Sequence, residues 1–203
     1  MKKVYLFLTF MFVFGFWSVA SATIVNVANL YGTATANHSW GGQTPDNTID
    51  GSLAVMDYWN AGSHGTVSNP NWVVVDLGSA YDVGSIDLFW APQDGLYAGY
   101  TTNYNVYYGN NNTNWTLAGS GVFVDEDINR ITDSFSFGPT AQSMQYVMYE
   151  VDGGTHWSGI NEISVFADDG NPSGGAAPVP EPATMLLFGT GLMGLFSARF
   201  KKK

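Results

Sequence analysis

Between Thr23 and Ala167 the chain is a succession of short runs rich in β-branched and aromatic residues, each cut off by Gly, Asn, Asp or Pro. The runs are Thr23 to Ala28, Trp72 to Leu77, Ile86 to Trp90, Tyr104 to Tyr107, Ile131 to Phe137, Met144 to Val151 and Ile160 to Phe166. No helical period, heptad or long internal repeat competes with them. Short strands at this spacing predict an all-β sandwich or jelly roll. β-branched and aromatic side chains suit its half-buried, pleated faces. Asn110-Asn111-Asn112 reads as a hairpin tip, because Asn tolerates turn backbones.

Both ends of the chain stand apart from this pattern. Lys2 and Lys3 precede an apolar run from Val4 to Trp17, and Ala20-Ser21-Ala22 follows. A positive start, a short apolar middle and a small-residue exit predict a signal peptide over 1–22. The run is too short for a spanning helix, which needs about 20 apolar residues. At the other end, 168–179 is a Gly/Pro/Ser/Ala-rich linker that cannot build a core. Pro180-Glu181-Pro182 comes next, then an apolar stretch to Phe200 and a basic end at Lys201-Lys202-Lys203. That layout predicts a transmembrane helix with its basic end in the cytoplasm.

Setting both ends aside leaves Thr23 to Val179, 157 residues and a single domain by size. Six of the seven basic residues lie in the ends, whereas sixteen of the seventeen acidic ones stay in the middle. Against Arg130 alone, the mature chain carries −15. Nucleic acid is excluded as a partner, since phosphates need Lys or Arg to neutralise them. Anionic lipid is excluded likewise. Acidic polysaccharides are repelled unless a cation bridges them, which leaves divalent cations and neutral ligands. With no cysteine in the sequence, an exported fold must hold by its core or by a metal, and thiol chemistry is absent.

The order of motifs in the middle is distinctive. Asn29-Leu30, Ala34-Thr35-Ala36, Pro45-x-Asn47, Ile49-Asp50-Gly51 and Trp59 come first. Trp72-Val73-x-Val75-Asp76-Leu77-Gly78, Ile86-x-Leu88, Tyr104-x-Val106, Trp115-Thr116 and Glu162-Ile163 complete the series. This resembles the discoidin, or coagulation-factor type-C, family and its bacterial relatives, the family-32 carbohydrate-binding modules. The resemblance implies an eight-stranded galactose-binding-like jelly roll over 23–167, with ligand loops at one end. The tail, Val179-Pro180-Glu181-Pro182-Ala183-Thr184 with its apolar stretch and basic end, resembles the PEP-CTERM sorting signal. That resemblance implies an exosortase-type processing enzyme as partner and transient anchoring in the inner membrane. Release to the cell surface or an exopolysaccharide matrix would follow. Two departures stand out. The disulfide that ties the termini of many extracellular members is missing. Where sugar-binding members often carry Arg or His after the Ile-x-Leu strand, this chain has Trp90-Ala91-Pro92-Gln93.

The resemblance also implies a structural calcium position where the Asp50 loop meets Glu162. Calcium takes 6–8 oxygens from carboxylates, amides and carbonyls. Asp46, Asn47, Asp50, Ser52 and Asp57 offer oxygens in one short loop, and Glu162 adds one from the far end of the chain. For a glycan ligand the candidates are His38, Trp40, Trp90, Tyr97, Tyr100, His156 and Trp157, because rings suit sugar C–H faces and His suits their polar edges. Trp59 and Trp72 match core positions of the family. No Gly-x-Ser-x-Gly, His-Glu-x-x-His or arguable triad is present, and among so many acids a carboxylate pair carries no information. The expectation is a calcium-stabilised, glycan-binding, non-enzymatic module. The alternative is a structural or adhesion protein of the biofilm matrix with no small ligand.

Overall fold

The structure is a computed structural model and describes residues 23–54, 57–90, 101–124, 131–138, 141–155 and 157–172. The signal peptide, the sorting segment and Asp125-Glu126-Asp127 lie outside the described residues.

The domain is antiparallel β throughout. Its strands are β1 (Ile24–Asn26), β2 (Thr33–Ala36), β3 (Trp59–Asn60), β4 (Asn71–Trp90), β5 (Thr101–Gly109), β6 (Thr116–Val124), β7 (Ile131–Ser136), β8 (Gln142–Gly154), β9 (Gly159–Ile160) and β10 (Glu162–Pro172). A five-residue helix, α1 (Val27–Tyr31), and a 3-10 turn, Pro45–Thr48, complete it. The sequence runs contain no helical period, and a helix of one turn is too short to have one. It forms because Asn26 caps it, its side chain accepting from the Asn29 N–H.

The two runs expected around Val73–Val75 and Ile86–Trp90 are one continuous strand, β4, which builds both layers of the jelly roll. Its first part pairs with β2 and β8, and β5 and β6 extend that layer. Its last part pairs with β10 and β7, and β1 closes beyond β10. The eight strands therefore form a single hydrogen-bonded sheet folded over itself. The corner lies between Asp76 and Tyr81, where the register with β8 slips. Gly78 takes φ +78 there, and its N–H donates to Asp76 Oδ1 at 2.8 Å. A side chain at that φ would be strained, which gives the Asp-Leu-Gly triplet its structural meaning.

The core lies between the layers. Val73, Val75, Leu77, Ile86, Leu88, Val147 and Ile163 are fully buried, each contributing about 1.5–3 kcal/mol by leaving water. Trp90 from β4 stacks on Phe123 of β6 (5.0 Å, 10°) and leans on Tyr104 of β5 (5.1 Å). Trp59 is fully buried, in line with its core assignment. Trp72 is not a core residue. Asn71 and Val73 point inward, so the strand's alternation turns Trp72 to the outer face, where it is half-buried.

Candidate functional site

A two-stranded ladder positions everything of interest. β3 pairs with β9, Trp59 opposite Ile160 and Asn60 opposite Gly159. The chain that enters and leaves this ladder builds two corners. One carries exposed rings and the other a buried carboxylate.

The ring corner starts from Trp59. Its indole N–H donates to the His38 carbonyl at 2.8 Å, and its ring meets Tyr149 edge-on. The Asn60 carbonyl accepts from the Trp40 N–H at 2.8 Å. Gly62, at φ +73, lets the Trp40 side chain lie against the backbone, since an added Cβ would come within 3.0 Å of it. Trp40 is thus 58% exposed and Trp157 38% exposed, with their rings 6.4 Å apart and tilted by 40°. His38, two residues before Trp40, is also exposed. Next to Trp157, Ser158 is fully buried. Its Oγ accepts from the Gly65 N–H at 3.0 Å and from Asn71 Nδ2 at 2.9 Å. The Ser158 N–H donates to the Ser63 carbonyl and its carbonyl accepts from the Ala61 N–H. Asn71 Nδ2 also donates to Ser63 O and Oγ. Sequence reasoning missed this support, because Ser and Asn between strands look like turn residues wherever they point.

The carboxylate corner is where the 3-10 turn and its following loop meet the start of β10. The Gly51 N–H donates to Glu162 Oε2 at 3.2 Å, and Asn29 Nδ2 donates to the Ile49 carbonyl. Asn161 Nδ2 gathers the loop's far side through the carbonyls of Ala54 (3.1 Å) and Asp57 (2.8 Å). Glu162 is 2% exposed, and among the described residues its Oε1 has no hydrogen-bond partner. Burial pushes its carboxyl up to about 8. The Gly51 N–H and the Asn26 side chain oppose the rise, while the charges of Asp50 and Asp57 add to it. An unpartnered, buried carboxylate oxygen with two further carboxylates nearby is a place where a cation would be stabilised.

The structure brings some of the expected metal residues to this corner already occupied. Asn47 Oδ1 accepts from Thr44 Oγ1, and its Nδ2 donates to the Tyr58 carbonyl. Ser52 Oγ accepts from the Ala54 N–H, and Asp50 Oδ1 from the Ser52 N–H. Among the described residues no group of three or more His, Cys, Asp or Glu gathers. A cation here would draw most of its oxygens from carbonyls, amides and hydroxyls, a donor set that calcium accepts and zinc does not favour.

Of the expected ligand residues, His38, Trp40 and Trp157 are exposed. Trp90 is corrected: at 4% exposure it belongs to the core, because Phe123, Tyr104 and Tyr149 close over it. Its indole N–H donates to Tyr149 Oη at 3.3 Å instead of facing a ligand. Tyr97, Tyr100 and His156 lie outside the described residues.

Comparison with known proteins agrees with this fold. The F5/8 type C domain family matches residues 33–166, and the PEP-CTERM protein-sorting motif matches 178–203. No curated protein matches the chain significantly. Among solved structures, the family 32 carbohydrate-binding module of C. perfringens NanJ, in complex with galactose, superposes at TM-score 0.56. It is 22% identical and covers 71% of this chain and 99% of that one. The family 32 module of AlyQ, in complex with 4,5-unsaturated mannuronic acid, has TM-score 0.51 at 25% identity, covering 66% and 93%. Chitosan-binding module 1 of a Paenibacillus chitosanase/glucanase has TM-score 0.51 at 25% identity, covering 70% and 98%. Each of these modules is matched over nearly its whole length. The jelly-roll layers, the Ile49-Asp50-Gly51 loop against Glu162 and the family match over 33–166 together establish that the chain belongs to the F5/8 type C domain family.

Proposed function

We propose that the domain is a non-catalytic carbohydrate-binding module of an exported protein, sorted by an exosortase-type enzyme and stabilised by calcium. The observation that carries the reading is the exposed Trp40–Trp157 pair standing beside a satisfied buried network. Rings held open in this way offer apolar faces to sugar C–H groups, with the polar His38 alongside. The 25%-identical neighbours, one in complex with 4,5-unsaturated mannuronic acid and one a chitosan-binding module, support the same ligand class. Calcium is supported by the unpartnered Oε1 of Glu162 and the oxygen-rich loop facing it. It would fasten the loop before β3 to the start of β10, a role left open in a chain without cysteine. The sorting motif supports passage through the inner membrane and release to the surface or matrix. No helix among the described residues is long and apolar enough to cross a membrane, and the expected one lies outside them.

The test is binding of the isolated domain, Thr23–Ser173, to neutral and acidic polysaccharides with calcium and with chelator. Saturable binding that weakens in chelator is the expected result. A folded domain that binds no glycan under any condition sinks the reading. It would favour a structural matrix role, to which the burial of Trp90 in the core lends weight.

A further inference from the structure

A folded-over sheet of this kind has four outer edges, and three are guarded. β1 is only three residues long and β2 only four. β7 has six residues and carries Asp133. Short or charged edges resist pairing with another chain. The fourth edge is β6, nine residues long, and among the described residues no strand pairs with its outer side.

β6 has no guard in its sequence. Thr116–Val124 contains neither charge nor proline. It sits within 95–124, thirty consecutive residues without Asp, Glu, Lys, Arg or His, in a mature chain with sixteen acids. A bulge at Ala118 distorts the start, where Val106 pairs with Gly119 and Tyr107 with Leu117. From Gly119 to Val124 the register with β5 is unbroken. The inward positions are fixed by the core: Phe123 stacks on Trp90, and Gly121 and Gly119 admit the rings of Tyr104 and Phe135. Alternation then sends Val122 and Val124 outward, 59% and 39% exposed, and Leu117 is 53% exposed. A regular, uncharged strand with exposed aliphatic side chains and outer backbone groups that no described strand pairs is a template for another strand.

From these features we propose that β6 is a self-association edge, pairing antiparallel with β6 of a second copy across a twofold axis. The charge distribution selects this occupant. Two domains of −15 repel wherever their acids meet; β5 and β6 themselves carry none, and antiparallel pairing sets the two Val124 ends, each followed in sequence by Asp125-Glu126-Asp127, at opposite ends of the joint. An edge also complements itself, since antiparallel pairing needs only the same donors and acceptors on each side. The product would be one sheet continuous through two domains, with two copies of the ring corner.

Sedimentation velocity on Thr23–Ser173, from micromolar to millimolar, tests it. The expected result is a concentration-dependent dimer that tightens with added salt, which screens the remaining repulsion. Amide exchange should slow in Gly119–Val124 as the dimer forms. Val122→Glu changes an exposed side chain, leaves the fold intact, and should weaken the dimer at least about tenfold, because both sides of the joint gain a carboxylate. Val67→Glu adds the same charge at an 85%-exposed loop position away from the edge and should leave the dimer unchanged. A domain that stays monomeric to millimolar concentration overturns the proposal. So does a dimer indifferent to Val122→Glu, or one that leaves the β6 amides unprotected.

Discussion

The ring corner and the carboxylate corner are neighbours on one six-residue stretch, Trp157 to Glu162, yet they are finished to different degrees. The Ser158 hydroxyl, N–H and carbonyl all have partners, and what stays exposed beside them is aromatic. Around Glu162 the packing is closed, and one carboxylate oxygen is left without a partner. The network beside Trp157 is complete without a ligand, although Gln43 Oε1 on the Trp40 side is also buried without a partner among the described residues. The carboxylate corner is not complete, because a buried carboxylate oxygen without a counter-charge or hydrogen bond costs more than one left in water. Loss of a cation should therefore be felt by the whole fold, whereas loss of a sugar should be felt only at the rings.

The largest expected effect breaks or makes that contrast. Calcium at a hundredfold excess over its Kd should add about 3 kcal/mol to stability, read as a rise in melting temperature. In chelator, pH should act in a defined direction. Glu162 titrates near 8 in the fold against an ordinary value of 4.5, so the folded state holds a proton that the unfolded chain has released. The stability linked to this group is complete below about 4.5 and is lost progressively as pH rises to about 8. Melting temperature in chelator should fall over that window, and calcium should remove the fall, since the metal needs the ionised carboxylate. Glu162→Gln should cancel both responses. At pH near 8 in chelator it should be at least as stable as the parent, and calcium should no longer raise it. A parent domain indifferent to calcium would erase the difference between the corners.

A middle-sized effect probes the finished corner. Ser158→Ala takes the acceptor from the Gly65 N–H and one of three from Asn71 Nδ2. Leaving a buried donor unpaired costs about 1–3 kcal/mol. Thermal unfolding should register that loss while the calcium response stays intact. If Ser158→Ala also abolished the calcium response, the two corners would be one cooperative unit and the comparison would fail.

Much of this was legible in the sequence, for reasons that separate the two corners again. The alternating runs located β1, β4, β5, β7, β8 and β10 but not β2, β3 or β6, and Asp76-Leu77-Gly78 entered only as a motif of the resemblance until the structure showed Gly78 turning the corner of β4 at a φ that suits glycine. Ile49-Asp50-Gly51 and Glu162 could be named as one locus only through the resemblance, since 111 residues separate the Gly51 N–H from its acceptor. The rings were harder. An aromatic at a strand end reads the same whether it turns to solvent, as Trp40 does, or into the core, as Trp90 does. Which happens depends on Phe123, Tyr104 and Tyr149 arriving from three other strands. Trp72 failed as a core residue for a one-position reason: its neighbours on either side face inward. The β6 edge was readable only as an absence of charge, which gains meaning once the topology leaves that strand outermost.

The smallest effect on stability should come from the rings themselves, and it separates ligand contact from support. Trp40 is 58% exposed and touches the fold mainly through its backbone bonds to Asn60 and Gln43 and its side-chain contact with Gly62. Trp40→Ala should therefore change stability by less than about 1 kcal/mol, as surface substitutions do. Trp157→Ala should cost somewhat more, because its ring is less exposed and lies next to the Ser158 network. Both should reduce affinity for whichever polysaccharide the parent binds by at least about tenfold, since an exposed ring in a binding site acts as an anchor. Titration calorimetry alongside thermal melts reads both quantities on the same sample. Unchanged affinity in both variants would move the glycan away from this corner, even with the carboxylate corner and its calcium response left standing.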